Sequence, residues 1–213
     1  MCLLLYDGVR SACSGTQARM KAKGTPMTLD GSKRDMRPKT VRESQVVMAR
    51  QMMPDDANPW GDVHGGVVMK MVDEAAGSAA IRHARCRVAT AAIDYMSFVH
   101  PVHVGDFLTV SASVNDVGRT SMEVGVRVEA ENMLTGERHH TSSAYVVMVA
   151  LDDAGNPSTV PPIIPETPDE QRRAAAAKIR RVQRKLLEHE LKRSADELAR
   201  EPVVGSELVP VEP

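Results

Sequence analysis

Asp73 is the residue whose position most invites a chemical reading. It falls in Met71-Val72-Asp73-Glu74-Ala75-Ala76, an apolar stretch of helical spacing where a buried carboxylate without a partner or function would be costly. Just upstream, the turn-rich run N-P-W-G-D-V-H-G-G, residues 58–66, supplies the Asn58 carboxamide, the His64 imidazole and the unobstructed amides of Gly65 and Gly66. The first amides of a helix lack intrahelical acceptors and stand at its positive end, so they suit an oxyanion developing on a carbonyl. A carboxylate, a carboxamide and oxyanion donors are the minimum equipment for acyl or carbonyl chemistry.

Each of these residues also has a plainer use. The glycines can serve as the opening of a close-packed helix, Asn58 beside Pro59 as a turn or cap residue, and Asp73 in a helix-to-loop hydrogen bond. His64, the one imidazole in the loop, rivals Asp73 as general base. Asp73 lies seven residues beyond Gly66, roughly 10 Å along a helix axis, so it does not reach an acyl group seated directly above Gly66. Either the substrate passes along the helix flank or another subunit completes the site.

Other chemistries find less support. Cys2, Cys13 and Cys86 form an odd set without CxxC spacing, which points away from a disulfide scaffold or structural zinc and agrees with a reducing cytoplasm. No HxxxH pattern gathers His100, His103, His139 and His140, so no catalytic metal is expected. Ser78 lacks the G-x-S-x-G elbow, and Walker and G-x-G-x-x-G patterns are missing. The chain carries a formal charge of -1, but residues 19–42 hold eight Lys or Arg against two Asp, and residues 172–200 hold ten against four acids. These basic arms contain no aromatic residue to stack on bases, and no apolar run approaches 18 residues, so neither a nucleic-acid partner nor membrane insertion is expected.

The elements that must position these groups follow from periodicity. Residues 1–40 read as a disordered leader and 41–52 as a strand, followed by the loop and a helix from Gly65 with apolar positions Val68, Met71, Val72, Ala75, Ala76, Ala79 and Ala80. Strands are expected over 88–99, from Phe107 to Val114, along the alternating run Met122, Val124, Val126, Val128 and Ala130, and over 139–151, with Asn115, Asp116 and Gly118 as punctuation. A core of residues 41–156 is then followed by a Pro-rich connector (157–168), a basic helix (169–200) and a tail (201–213). The helix stripe Ile179, Val182, Leu186 and Leu187 needs a surface to dock on. One long helix in the concave face of a curled antiparallel sheet is the simplest α+β arrangement, and pairing of sheet edges between subunits would protect them.

The segments M-P-D-D-A-N-P-W-G-D-V-H-G-G, M-K-M-V-D-E-A-A-G and F-V-H-P-V-H-V-G-D, with the strands through residue 151, resemble the hot-dog-fold acyl-CoA thioesterases, particularly the cytosolic group that includes brain acyl-CoA hydrolase. The resemblance implies a helix wrapped by a curved antiparallel sheet, paired subunits with sites between them, and three such dimers in a hexamer. It implies hydrolysis of acyl-CoA to CoA and a carboxylate, with coenzyme A as part of substrate and product and no cofactor. Asp73 matches the general base or nucleophile, and Asn58 the loop residue contributed by the opposing subunit. Gly65 and Gly66 amides beside His64 would hold the thioester oxygen. Val67, Val68, Met71 and Met96 are then candidates for the acyl slot, and Arg82, Arg85, Arg87 and Arg119 for CoA phosphates. A hot-dog hydratase or dehydratase using His64 with Asp73, and a noncatalytic acyl-CoA sensor, are the alternatives.

Overall fold

The computed structural model describes residues 34–200; most of the expected leader, and the tail from residue 201, lie outside the described residues. The domain begins earlier than the expected boundary at residue 41. Lys39–Thr40 (β1) pairs in parallel with Ile163–Ile164 (β7), so the Pro-rich connector doubles back onto the start of the domain. The buried Lys39 ammonium donates to the His83 carbonyl at 2.6 Å.

Residues 41–52 do not form the single strand expected of them. Val41–Ser44 (α1) is one helical turn, and the strand is Val46–Gln51 (β2). The turn exists because Glu43 accepts from the Thr40 amide at 3.0 Å, satisfying an otherwise orphaned donor, while Ser44 Oγ donates to the Val41 carbonyl at 2.7 Å. Buried Ser44 then accepts from the Val114 amide at 3.0 Å, fastening the turn to the sheet.

The main helix is Gly65–Ala84 (α2), and four long strands follow: Arg87–Phe98 (β3), Phe107–Val117 (β4), Ser121–Glu131 (β5) and Arg138–Leu151 (β6). They form one antiparallel sheet in the order β2-β4-β5-β6-β3, leaving β3 as an edge. α2 packs against all five strands. Its Ala75, Ala76, Ala79 and Ala80 have no exposed surface, and this row of methyl groups lets Val110, Val124, Val146 and their neighbours close around the helix. The alternation read along β5 holds, with Met122, Val124, Val126, Val128 and Ala130 buried and Arg127 outside.

β4 runs past the expected turn at Asn115 and Asp116, which instead occupy a register shift inside the strand and are buried. The reason is the last helix, Pro168–Arg200 (α3), which lies on the outer face of the sheet. Arg180 grips buried Glu123 with two hydrogen bonds of 3.1 and 2.6 Å and stacks 3.6 Å above the Tyr145 ring centroid. Arg181 pairs with Asp116 at 2.5 Å, and Arg184 pairs with Asp94. The helix therefore docks through Ala174, Ala177 and these arginines, whereas Ile179, Val182, Leu186 and Leu187 of the expected stripe remain exposed. Periodicity identified the apolar face but missed that a row of acids had prepared the opposite one. Among the described residues no helix is long and apolar enough to cross a membrane.

Candidate active site

A cleft of about 330 Å³ opens at the start of α2, lined by Asn58, Asp62, Val63, Gly65, Val68 and the segment 98–102. The loop holding Asn58 is built by hydrogen bonds within it. The Asn58 side-chain oxygen accepts from the Trp60 amide at 2.9 Å and from the Asp62 amide at 3.3 Å, and the Asn58 amide donates to the Asp62 carbonyl at 2.7 Å. Two backbone donors fix the orientation of the carboxamide. Asn58 thus serves both as the turn residue and as a cleft residue: its oxygen is committed to the loop, so any hydrogen bond it offers a ligand must come from Nδ2.

At the next step along the chain, His64 caps the helix. Its Nδ1 accepts from the Gly66 amide at 2.9 Å, so a neutral ring carries its proton on Nε2. This corrects the expectation that both glycine amides are available to a carbonyl. The Gly66 amide is capped, and Gly65 supplies the first amide of the helix, beside the cleft. Gly66 is also the more constrained of the two, since a Cβ there would stand 3.1 Å from His64 Nδ1, against 3.7 Å from Phe98 at Gly65.

Asp73 does not line this cleft, nor is it buried. It lies on the flank of α2, exposed in the single chain, where Thr90 Oγ1 donates to its Oδ1 at 2.5 Å. The cost expected for a buried carboxylate is avoided because the helix turns Asp73 toward the open edge of the sheet. Thr90 is opposite Met148 in the β3–β6 ladder, with a register shift immediately after it. Sequence reading missed Thr90. A threonine in an alternating strand is ordinary, and the only signal was a hydroxyl on the face turned toward α2.

Of the residues considered for an acyl slot, Val68 lines the cleft. Met71 is buried in the core cluster, and Val67 and Met96 pack partly buried against it. The candidate phosphate-binding arginines lie elsewhere. Arg82 donates to the Gln45 carbonyl and Arg85 caps the C-terminus of α2 in a left-handed conformation, while Arg87 begins β3. Arg119 occupies the β4–β5 turn, its carbonyl accepting from the Val160 amide at 3.1 Å. All four belong to the end of the fold remote from the Asn58 cleft, about 18 Å from Asp73 by helix rise in the case of Arg85. Among the described residues no group of three or more His, Cys, Asp or Glu side chains could hold a metal ion.

A long helix wrapped by a five-stranded antiparallel sheet, with a polar loop at the helix N-terminus and a carboxylate on its flank, defines a hot-dog-fold protein. Residues 61–137 match the Thioesterase superfamily model. An acyl-CoA thioester hydrolase of Bacillus subtilis, itself uncharacterized, is 37% identical over 129 residues, covering 61% of this chain and 75% of that one. The mouse cytosolic acyl coenzyme A thioester hydrolase is 36% identical over 150 residues, and the matched region is 70% of this chain but only 39% of the mouse protein. Among solved structures, an apo-hexameric acyl-CoA thioesterase superposes with a TM-score of 0.68 at 40% identity, covering 70% of this chain and 96% of that one. An acyl-CoA hydrolase from Staphylococcus aureus in complex with butyryl coenzyme A, coenzyme A and coenzyme A disulfide gives 0.70 at 34% identity, covering 76% and 100%. The chain belongs to the thioesterase superfamily.

Proposed function

We propose that this protein hydrolyses acyl-CoA thioesters, releasing free CoA and a carboxylic acid. The observation that carries the reading is the Asp73–Thr90 hydrogen bond on the helix flank, set apart from an amide-bearing cleft at the helix start. A second line of support comes from the Staphylococcus aureus enzyme, for which structures exist with single alanine replacements of an Asn, an Asp and a Thr. Those three residues stand fifteen and seventeen positions apart, the same separations that relate Asn58, Asp73 and Thr90.

In this reading Thr90 holds the Asp73 carboxylate in one orientation. Asp73 takes a proton from water as the water oxygen attacks the thioester carbonyl. The oxyanion that forms is met by the Gly65 amide and Asn58 Nδ2. Collapse breaks the C–S bond, and the sulfur leaves with the proton returned from Asp73. Direct attack by Asp73 through an anhydride is the other route open to the same geometry; label found in Asp73 after single-turnover hydrolysis in 18O water would select it, since general-base hydrolysis leaves Asp73 unlabelled. Asp73 and the cleft of its own chain lie apart, which supports a composite site in which one subunit supplies the Asn58 loop and its neighbour Asp73. Pairing of the exposed β3 edges in a dimer, and of three dimers in a hexamer, is the assembly we propose, with a cytoplasmic location.

The hydratase reading is less favoured because His64 Nδ1 already accepts from the Gly66 amide, which leaves only Nε2 for proton transfer. The deciding experiment measures free thiol and free carboxylate from short, medium and long acyl-CoAs. Both products are expected in equal amounts; no thiol release across the panel would overturn the proposal.

A further inference from the structure

We infer that His103 is a positioning residue for Asn58, acting through Asp62. The inference rests on the thioesterase reading of the cleft and extends it to a residue outside the reacting groups. His103 Nδ1 lies 2.7 Å from Asp62 Oδ1, and the two residues also meet in an isolated antiparallel bridge. Because a carboxylate only accepts, the imidazole donates from Nδ1.

The importance of the contact lies in what Asp62 does with its backbone. Its amide donates to the Asn58 side-chain oxygen at 3.3 Å, and its carbonyl accepts from the Asn58 amide at 2.7 Å. The Asp62 amide is therefore one of the two donors, with Trp60, that set the rotamer of the carboxamide and so the direction of Nδ2, and its carbonyl holds the Asn58 backbone. Asp62 follows Gly61, whose φ of 94° and open surroundings leave this segment little steric restraint of its own.

His103, in contrast, is anchored. Its amide donates to the buried Asp106 carboxylate at 2.9 Å, and the Asp106 carbonyl accepts from the amide of fully buried Met52 at 2.8 Å. The His103 backbone is thereby fixed to the core, and its imidazole links that anchor through Asp62 to the Asn58 loop. The side chains of His103 and Asp62 are 62% and 44% exposed, so the pair contributes little to global stability. Its effect is on geometry.

The test is a double-mutant cycle with an independent structural readout. His103→Ala is expected to lower kcat for thiol release about tenfold with KM nearly unchanged, and by less than about twofold when introduced into Asn58→Ala. His103→Asn, whose Nδ2 stands near the position of the imidazole Nδ1, is expected to restore most of the loss. Hydrogen exchange of the Trp60 and Asp62 amides, both bonded to Asn58, should accelerate in His103→Ala and recover in His103→Asn. An equal fractional loss in both backgrounds, or exchange at these two amides unchanged by His103→Ala, would overturn the inference. Should the wild-type chain release no thiol from any acyl-CoA, the hydrolase reading would fall, while the exchange measurement would still decide the role of His103.

Discussion

The Thr90 hydroxyl and the Asp73 carboxylate, seventeen residues apart, join the edge strand to the helix flank through a hydrogen bond of 2.5 Å. Thr90 keeps one carboxylate oxygen occupied, and in the proposed mechanism the other is the one that meets water. Asp73→Asn is expected to reduce kcat by about 10²–10⁴ with circular dichroism and assembly unchanged. Thr90→Val removes a hydrogen bond to a charged group and should lower kcat about tenfold or more, whereas Thr90→Ser should retain most activity. Steady-state thiol release checks all three, and full activity in Thr90→Val would remove the orienting role.

Asn58 and Asp73 of one chain are expected to serve different sites. Neither Asn58→Ala nor Asp73→Asn should release thiol efficiently alone, yet mixing and reassembling the two should recover about a quarter of wild-type activity, since half of randomly formed dimers would contain one intact site. Recovery of nothing, with mixed assemblies verified by mass spectrometry, would place the whole site within one chain. Asn58→Asp offers a finer separation. It keeps the acceptor for the Trp60 and Asp62 amides but removes Nδ2, so the loop should survive while activity is lost.

His83 gives the fold a pH dependence of definite sign. Its side chain is fully buried, Nε2 meets the Pro161 carbonyl at 2.9 Å, and Nδ1 has no hydrogen-bond partner among the described residues. Burial pushes its pKa below 6.5, outweighing the Pro161 hydrogen bond. The unfolded chain therefore binds the proton more readily, and the stability from keeping His83 neutral is present above 6.5 and is lost as pH falls through the lowered folded value. The melting temperature should fall on acidification below 6.5, and His83→Gln, which keeps a donor for Pro161, should flatten that slope. An unchanged slope in the variant would assign the pH dependence to other groups.

The clasp between α3 and the outer sheet face predicts an asymmetric pair of mutants. Arg180→Ala leaves buried Glu123 without its two charged hydrogen bonds and should cost about 3 kcal/mol in denaturant unfolding. Adding Glu123→Gln to Arg180→Ala should return part of that loss, because the stranded charge is gone. If the double variant is no more stable than the single one, the cost lies in the lost stacking on Tyr145 instead.

Local pattern made much of the framework readable. The three- and four-residue spacing from Val68 to Ala80 announced α2, and the alternation from Met122 to Ala130 announced β5, because each buries one face of a regular element. The failures occur where a side chain bonds to something distant or competes with local propensity. Glu43 turned the start of an expected strand into a helical turn by capping Thr40, and Asn115 and Asp116 stayed in β4 beneath arginines more than sixty residues away.

The same division runs through the candidate site. Composition and spacing alone determined that a carboxylate, a carboxamide and helix-opening glycines occur together along residues 58–73, since these are neighbours in the chain. Only the tertiary structure decided that Thr90 meets Asp73, that His64 takes the Gly66 amide, and that His103 reaches Asp62. Hydrogen bonds are directional and short, so whether two polar groups meet depends on strand register, helix rotation and loop path. Those are set by how the buried faces pack, which no single stretch of sequence contains.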